Sequence, residues 1–499
     1  MLNLYEKLTV LACEGCSWSC HAHTTAAVLA VFCFAWWWAK KFTRIIPPLP
    51  PGPPCLPILG NLPFIKPELH RYLAELSEIH GPIVKLQLGT KTCIVINSPS
   101  IAKEVLKDHD AIFANRDTPA AAVSGTLGGV DIVWRPIGPD FNRLRKLFLR
   151  EVMSKSGLDA FYELRRCEIR QMVKDLHGKI GSSVNLDEHV ALTSMKVMIN
   201  MLWGGSSERN SDLIELRERL DEFVRLIGTP NVSDFFPKNI VLWFYGIFES
   251  VIMNRLKTAN DGKDFLQQLL ELNQKGDDKI CLSNHEVKAL LLDMLIAGTD
   301  TVPTTVEWAM TELLRHPDKM TKLVQELDTV IGDQNILEEC HLPGLIYLNA
   351  VVKETLRLHP AAPFLLPHMP SETTIMAGYT IPKDSRVLIN ALAMQRDPEF
   401  WDDPLGFQPE RFLKAEEVSY HGNNMQYIPF GSGRRICAGI ALAEKMVGLL
   451  LGALVHSFEW KLPEGRRPDI QEKFGILLKK RESLVALPFA RLSNSHQYY

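Results

Sequence analysis

Apolar and polar positions divide the chain into stretches of different character. From Thr24 to Ala39 (TTAAVLAVFCFAWWWA) the residues are apolar and uncharged, and Lys40, Lys41 and Arg44 follow. Pro47 to Pro54 (PPLPPGPP) cannot form a helix and reads as a stiff, extended spacer. Beyond it the pattern becomes globular. Leu69 to Ile79 has helical spacing, and Ile83 to Ile96 alternates about Gly89 as a β-hairpin. A short helix and a Gly- and Ala-rich loop occupy Ser100 to Pro136, and helical periodicity dominates from there to about residue 360. The clearest helix opens at Ser283-Asn284-His285-Glu286, a capping-box pattern, and should end near Arg315, before Pro317. At 1.5 Å per residue it would span roughly 45 Å, and being apolar on most sides it should be buried. Short extended pieces follow residue 360, then a last helix from about Ile440 to His456. The fold class is mainly α with minor β.

The apolar stretch 24–39 is short for a membrane span, but Trp36 to Trp38 extend its reach into the interface. Its cations follow it, which argues against a cleaved signal peptide and places the bulk of the chain in the cytosol. The expected organisation is a lumenal leader (1–23), an anchor helix (24–39), a basic stop with a proline-rich hinge (40–54) and a single domain (55–499). Such an anchor puts the protein in a membrane, among lipids. In the leader, Cys13, Cys16, Cys20, His21 and His23 read as incidental residues or as a small metal or redox cluster. A formal net charge of −3 carries no basic excess, so nucleic acid is not an expected partner. Ten cysteines in 499 residues are too sparse for a disulfide scaffold.

Candidate chemistry concentrates in three places. Phe430-Gly431-Ser432-Gly433-Arg434-Arg435-Ile436-Cys437-Ala438-Gly439 is a glycine-rich loop running into the last helix. Amide N–H groups and the helix end should lower the Cys437 thiol and favour thiolate. Gly433 and Gly439 would let a flat ligand approach the backbone, and Arg435 offers a cation to a carboxylate. In the long helix, Ala297-Gly298-Thr299-Asp300-Thr301 sets a carboxylate and a hydroxyl on an apolar stretch, with Gly298 implying close approach by something. Glu354 and Arg357 share a helix face in KETLRLHP, and Arg411 follows in FQPERF.

These segments resemble the cytochrome P-450 monooxygenases. The first matches their haem-binding pattern Phe-x-x-Gly-x-Arg-x-Cys-x-Gly, the second their oxygen-activation motif, and the third their Glu-x-x-Arg and Pro-Glu-Arg-Phe elements. PELHRYLAEL, FANRD, NMLWGG, NVSDFFP and LPHMPSETT are similar to the plant microsomal enzymes that oxidise sesquiterpenes such as valencene and cadinene, with geraniol and flavonoid hydroxylases more distant. The resemblance implies a haem-thiolate domain over 55–499, a long central helix above haem b (iron protoporphyrin IX), and Cys437 as axial ligand of the iron. Phe430, Gly433, Arg435 and Gly439 would shape the haem loop, and Arg145 and His368 would meet propionates. Asp300 and Thr301 would deliver protons, and Glu354, Arg357 and Arg411 would form a buried triad. Val123, Ala297, Thr301, Phe364, Leu365 and Phe474 would wall a pocket for a lipophilic substrate. O2 is the oxidant. The sequence has no Gly-x-Gly-x-x-Gly turn after a strand, so electrons should come from NADPH through the NADPH–cytochrome P-450 reductase, with Arg143, Lys146 and Arg150 as its docking face.

Three places depart from that pattern. Phe141 stands where Trp is usual and is followed by Asn142, which removes an indole N–H. Pro303 lies two residues past the oxygen motif and should kink the helix by freeing the Thr299 carbonyl. The stretch 237–248, which would roof the substrate channel, is short and apolar. The leading expectation is C–H oxidation of a terpenoid. The alternatives are a catalytically impaired haem-binding relative, acting as a membrane scaffold or lipophilic-ligand binder, and a reductase-independent isomerase or dehydratase.

Overall fold

The computed structural model describes residue 31 and residues 47–498 apart from 127, 205–209, 229–247, 254, 256–263, 275–281, 333–334 and 415–417. All of the anchor stretch but residue 31, the leader cysteines and all but the last residue of the 237–248 roof therefore lie outside the described residues. The chain divides into two units. In the smaller (Met1–Leu49 with Ile375–Thr380), the Thr380 N–H donates to the Pro48 carbonyl at 2.9 Å.

The larger unit (Pro50–Thr374, Ile381–Tyr499) carries the helices that matter here. These are α1 (Leu69–His80), α2 (Pro139–Glu151), α3 (Tyr162–His177), α4 (Leu186–Trp203), α5 (Asn210–Gly228), α6 (Asn284–Arg315), α7 (Pro317–Val330), α8 (Ile346–Leu358) and α9 (Ile440–Ser457). The mainly helical expectation holds. Strands are more dispersed than expected, because the sequence places them far apart. The hairpin β1 (Ile83–Leu88) and β2 (Lys91–Ile96) grows into a five-stranded sheet with β3 (Asn115–Arg116), and Val184–Asn185 is β4 of a second sheet. Besides the pair Thr374–Met376 and Tyr379–Ile381, the further strands are β5 (His368–Met369), β6 (Arg386–Ile389), β7 (Phe458–Lys461), β8 (Glu472–Lys473), β9 (Lys479–Lys480) and β10 (Val485–Ala490). The large sheet has the order β1-β2-β6-β5-β3, and a three-stranded sheet has the order β4-β10-β7. Pro51 to Pro54 do not stand free as a spacer. The Lys85 N–H donates to Pro51 O at 2.7 Å, and Asn61 Nδ2 to Pro54 O at 3.0 Å, so this segment is laid along β1.

The capping box predicted at Ser283 is present: Ser283 Oγ accepts the Glu286 N–H at 3.2 Å, and Glu286 Oε2 accepts the Ser283 N–H at 2.9 Å. From it α6 runs 32 residues and continues through Pro303 without interruption. The hydroxyls of Thr299, Thr301, Thr304 and Thr305 all fold back onto carbonyls four residues earlier, at 2.6–2.9 Å, and so stay within the helix. Helices α6 and α9 are long and apolar enough to cross a membrane, yet both are largely buried in the protein and act as core helices. Helix α6 packs on α4, α8 and α9. Gly298 is where α4 comes close: a Cβ there would lie 2.5 Å from Met198 Sδ. The approach inferred from that glycine is therefore a neighbouring helix.

Further along α6, Glu307 is buried and accepts the Leu484 N–H at 2.7 Å. Burial first, and Asp187 second, push its carboxyl up to about 7. The folded protein thus takes up a proton that the unfolded chain releases, and stability falls as pH rises from about 4.5 to about 7. Glu307→Gln, which keeps the acceptor, should leave the melting temperature little changed at about pH 4, below the ordinary carboxyl value. At pH 8 the variant should be more stable than the wild type, by an order of about 2 kcal/mol. Thermal melts at the two pH values check this, and an equal shift at both would show that Glu307 does not titrate there.

Candidate active site

The cysteine loop is shaped by its own backbone. Gly431 (φ 75°) and Gly433 (φ 69°) take left-handed conformations, and the Cys437 N–H closes the loop onto Phe430 O at 2.9 Å. Gly433 is required for another reason than ligand approach, since a Cβ there would stand 2.0 Å from the Leu106 carbonyl oxygen. At Gly439 the side facing Cys437 is open, the sulfur lying 3.9 Å from an added Cβ. The Phe430 ring meets Tyr420 edge-on at 5.7 Å.

Cys437 is solvent-reachable yet deep within the fold. Burial pushes its thiol up, opposed by the Gly439 N–H at 3.3 Å and the charge of Arg145. The helix end does not by itself make a thiolate. A metal cation at the sulfur would, because coordination deprotonates a thiol outright.

Around this loop stand cations that have few anions to meet. Arg145 donates to Ile436 O at 2.6 Å. Arg435 is spread over four carbonyls, those of Ala114, Ile132, Val133 and Arg135, and its guanidinium lies 4.1 Å from the Phe141 ring centre. The phenyl at 141 thus supplies an aromatic face to a cation. Sequence reasoning passed over Arg116. It stands on β3 in register with His368 on β5, donates to Leu366 O and, among the described residues, leaves its buried Nε without a partner. Burial, then Arg435 and Arg145, lower Arg116 to about 9, and burial with Arg145 lowers Arg435 to about 10. His368 Nδ1 donates to Phe113 O at 2.8 Å, and burial with the charge of Arg116 holds the ring well below its usual value. As the neutral tautomer it has a bare Nε2, so it must gain a proton before it can donate to a carboxylate. An accessible sulfur, an open glycine and three mutually repelling guanidinium groups fit a flat, dianionic, metal-bearing ligand, as haem with its two propionates is.

Above this, Ala297 and Thr301 lie one turn apart on α6. Thr301 Oγ1 donates to Ala297 O at 2.6 Å, leaving its oxygen able to accept. Asp300 is buried. Its Oδ1 takes Lys479 Nζ at 3.0 Å, Lys479 also reaching Asp221 on α5 at 2.9 Å, and its Oδ2 has no partner among the described residues. Burial raises the Asp300 carboxyl, against the pull of Lys479. A second carboxyl pair, Asp131 and Asp293, was not foreseen. Asp293 on α6 accepts the Ile132 N–H at 2.9 Å and Asp131 the Trp134 N–H at 2.8 Å, and burial raises both, Asp131 to about 6. They hold the loop 131–135 whose carbonyls Arg435 takes from the other side. No spacing rule links residues so far apart.

Of the pocket residues, Phe364 meets Phe474 edge-on at 5.7 Å, and Leu365, strained at φ 55°, stands 3.7 Å from the Cβ position of Gly431. Val123 sits largely exposed on the separate short helix Ala120–Gly125. Beneath the site, Glu354, Arg357 and Arg411 come together. Arg357 grips Glu354 with two bonds of 2.8 Å, Arg411 Nε adds one of 3.1 Å, and the Gln408 N–H another of 2.9 Å. On α2, Arg143 has the helical spacing of Lys146 and Arg150 but is drawn to a different partner. Its side chain turns to Glu286 at 2.6 Å, while Asn142, Arg145, Lys146, Leu149 and Arg150 line an open groove of about 450 Å³.

A family model described as cytochrome P450 matches residues 50–487. The chain belongs to the cytochrome P450 family. Among plant relatives of this P450, a flavonoid 3'-monooxygenase of Crocosmia x crocosmiiflora is 38% identical over 476 residues, 90% of this chain and 94% of that protein. A carnosic acid synthase of Salvia pomifera is 37% identical over 470 residues (88% and 93%), and a geraniol 8-hydroxylase of Catharanthus roseus 37% over 464 residues (88% and 94%). A zebra fish cytochrome P450 solved with abiraterone superimposes with a TM-score of 0.76 at 26% identity, covering 85% of this chain and 100% of that one. As a P450 the protein is a monooxygenase of lipophilic small molecules that uses haem b and O2, with NADPH supplying electrons indirectly.

Proposed function

We propose that this P450 oxidises a C–H bond of a terpenoid, placing one oxygen atom of O2 in the product, with electrons passed from NADPH by a membrane-bound reductase. The observation that supports an active site most directly is the accessible Cys437 sulfur among Arg116, Arg145, Arg435 and His368. Haem supplies the redox chemistry that activates dioxygen. Cys437 holds the iron, Arg116 and Arg145 hold the propionates, and Arg435 braces the surrounding loops while adding its charge. Asp300, held at Oδ1 by Lys479, offers Oδ2, which has no partner among the described residues, to relay a proton near Thr301, whose oxygen accepts hydrogen bonds. Ala297, Phe364, Leu365, Phe474 and Val123 present apolar surface to the substrate. Lys146 and Arg150 receive the reductase beside the Arg145 groove. Residues 24–39 anchor the chain in the endoplasmic reticulum membrane, with 1–23 lumenal, 40–54 as stop and proline-rich hinge whose last residues, 51–54, are fixed along β1, and the domain from residue 55 cytosolic.

The test uses microsomes carrying the full chain. Reduced protein with carbon monoxide should give the far-red Soret band of thiolate-ligated haem. With reductase, NADPH and isotopically heavy dioxygen, a panel of sesquiterpenes, geraniol and flavonoids should yield a terpenoid product bearing one heavy oxygen. Spin-state shifts with no product from any compound would overturn this reading in favour of a ligand-binding scaffold. Product formed without NADPH would point to an isomerase or dehydratase.

A further inference from the structure

We propose that His70 and Glu472 are positioning residues that set where Phe474 stands in the substrate cavity, and hence which carbon is oxidised; this rests on the reading above of Phe364 and Phe474 as cavity walls. Phe474 lies just past β8, in the turn of a hairpin whose strands pair Glu472 with Lys480 and Lys473 with Lys479. The far end of that hairpin is tied to α6, where Trp308 Nε1 donates to Leu478 O at 3.1 Å and Lys479 reaches Asp300. At the near end Lys480 Nζ lies over the Trp308 ring at 5.4 Å and Arg481 reaches Glu68 at 3.5 Å, but the buried anchor is Glu472. Its carboxylate, almost fully buried, takes His70 Nε2 at 3.0 Å, Arg396 at 2.7 Å and the exposed Arg71 at 3.1 Å. Burial opposes ionisation, yet the bond from His70 and the charge of Arg396 hold Glu472 well below the usual carboxylate range. The charge is therefore kept, and with it the orientation of the His70 ring, whose Nε2 must carry the hydrogen.

That orientation matters because Phe474 lies on the ring. Their centroids are 5.4 Å apart with planes inclined by 24°, and Phe474 also meets Phe364 edge-on. A continuous line of contacts thus runs from Glu472 through His70, Phe474 and Phe364 to Leu365 beside Gly431 of the cysteine loop. Half-buried Phe474 has room to move if the face behind it is lost, and cavity width beyond the haem would change while the haem loop would not.

The experiment reads cavity shape with imidazoles bearing butyl and dodecyl tails, whose ring nitrogen binds haem iron while the tail samples the cavity. Spectral titrations of full-length wild type, His70→Gln and His70→Phe give Kd at both lengths. Gln keeps a donor for Glu472 but has no ring, whereas Phe keeps the face. We expect His70→Gln to shift dodecylimidazole about five-fold and butylimidazole by less than about two-fold, the size of one lost aromatic pair. His70→Phe should restore most of the difference, and Glu472→Gln should shift it in the direction of His70→Gln. The ratio of oxidised positions in the product should move with the dodecyl Kd. Equal shifts at both lengths, or none, would overturn the proposal. A wild-type protein without the thiolate-haem band would instead sink the proposed function, and so separates the two.

Discussion

Replacing Cys437 with serine is expected to abolish the far-red Soret band of the reduced carbon monoxide complex and all NADPH-dependent oxidation, while the polypeptide remains folded. A serine hydroxyl is not ionised near neutral pH, so it cannot donate the electron density that a thiolate gives to haem iron. The expected loss in turnover is at least about three orders of magnitude, or roughly 4 kcal/mol in the barrier. Folding is spared because the loop is closed by contacts that do not use the sulfur: the Cys437 N–H to Phe430 O, the Ile436 N–H to Gly433 O, and Arg145 to Ile436 O. Among the described residues only the Gly439 N–H donates to Sγ, and a hydroxyl can accept it. Spectra, turnover and denaturation midpoints on one preparation check all three statements. A serine variant that still shows the thiolate band would remove Cys437 from its proposed role.

Glu354→Ala acts in the opposite sense, on the fold before the chemistry. Glu354 and Arg357 have fully buried side chains, and besides Glu354 the Arg357 guanidinium meets the carbonyls of Gln395, Pro404 and Gly406 at 2.8–3.1 Å. Trp401 lies over both arginines, 5.1 Å from Arg357 and 5.9 Å from Arg411. Removing the carboxylate leaves Arg357 buried without its counter-charge, at a loss of about 3–5 kcal/mol. Since domains hold only about 5–15 kcal/mol, most of the variant should fail to accumulate as haem-loaded protein. Arg411→Lys, at the outer edge of the group, should cost less, about 1–2 kcal/mol, because it retains the charge beside Glu354 and loses only part of the bonding to Glu354 and to the Asp402 and Asp403 carbonyls. Denaturation midpoints of the two variants, with haem content per polypeptide, test the ranking. Equal losses would mean that the group acts through packing and not through the buried pair.

Local patterns determined a large part of this protein. The capping box at Ser283, the end of α6 before Pro317, the hairpin about Gly89 and the last helix from Ile440 all follow from residues within a few positions of each other. So does the gathering of Phe430 to Gly439 into one loop, since glycine torsions and short backbone bonds suffice to make it. What the sequence could not determine is which partner a long or charged side chain takes once distant segments meet. Arg143 has the spacing to join Lys146 and Arg150, yet Glu286 from the start of α6 claims it. Gly298 announces a close approach, but only packing names Met198 as the group that approaches. Phe141 looks like a lost hydrogen bond until Arg435 is found above its ring. Arg116, Asp131 with Asp293, and His70 with Glu472 carry no local signal, because each gains its meaning from a residue far away in the chain. Backbone patterns are set by neighbours in sequence. Desolvation, which decides whether a charge must be paired and by what, is set by neighbours in space.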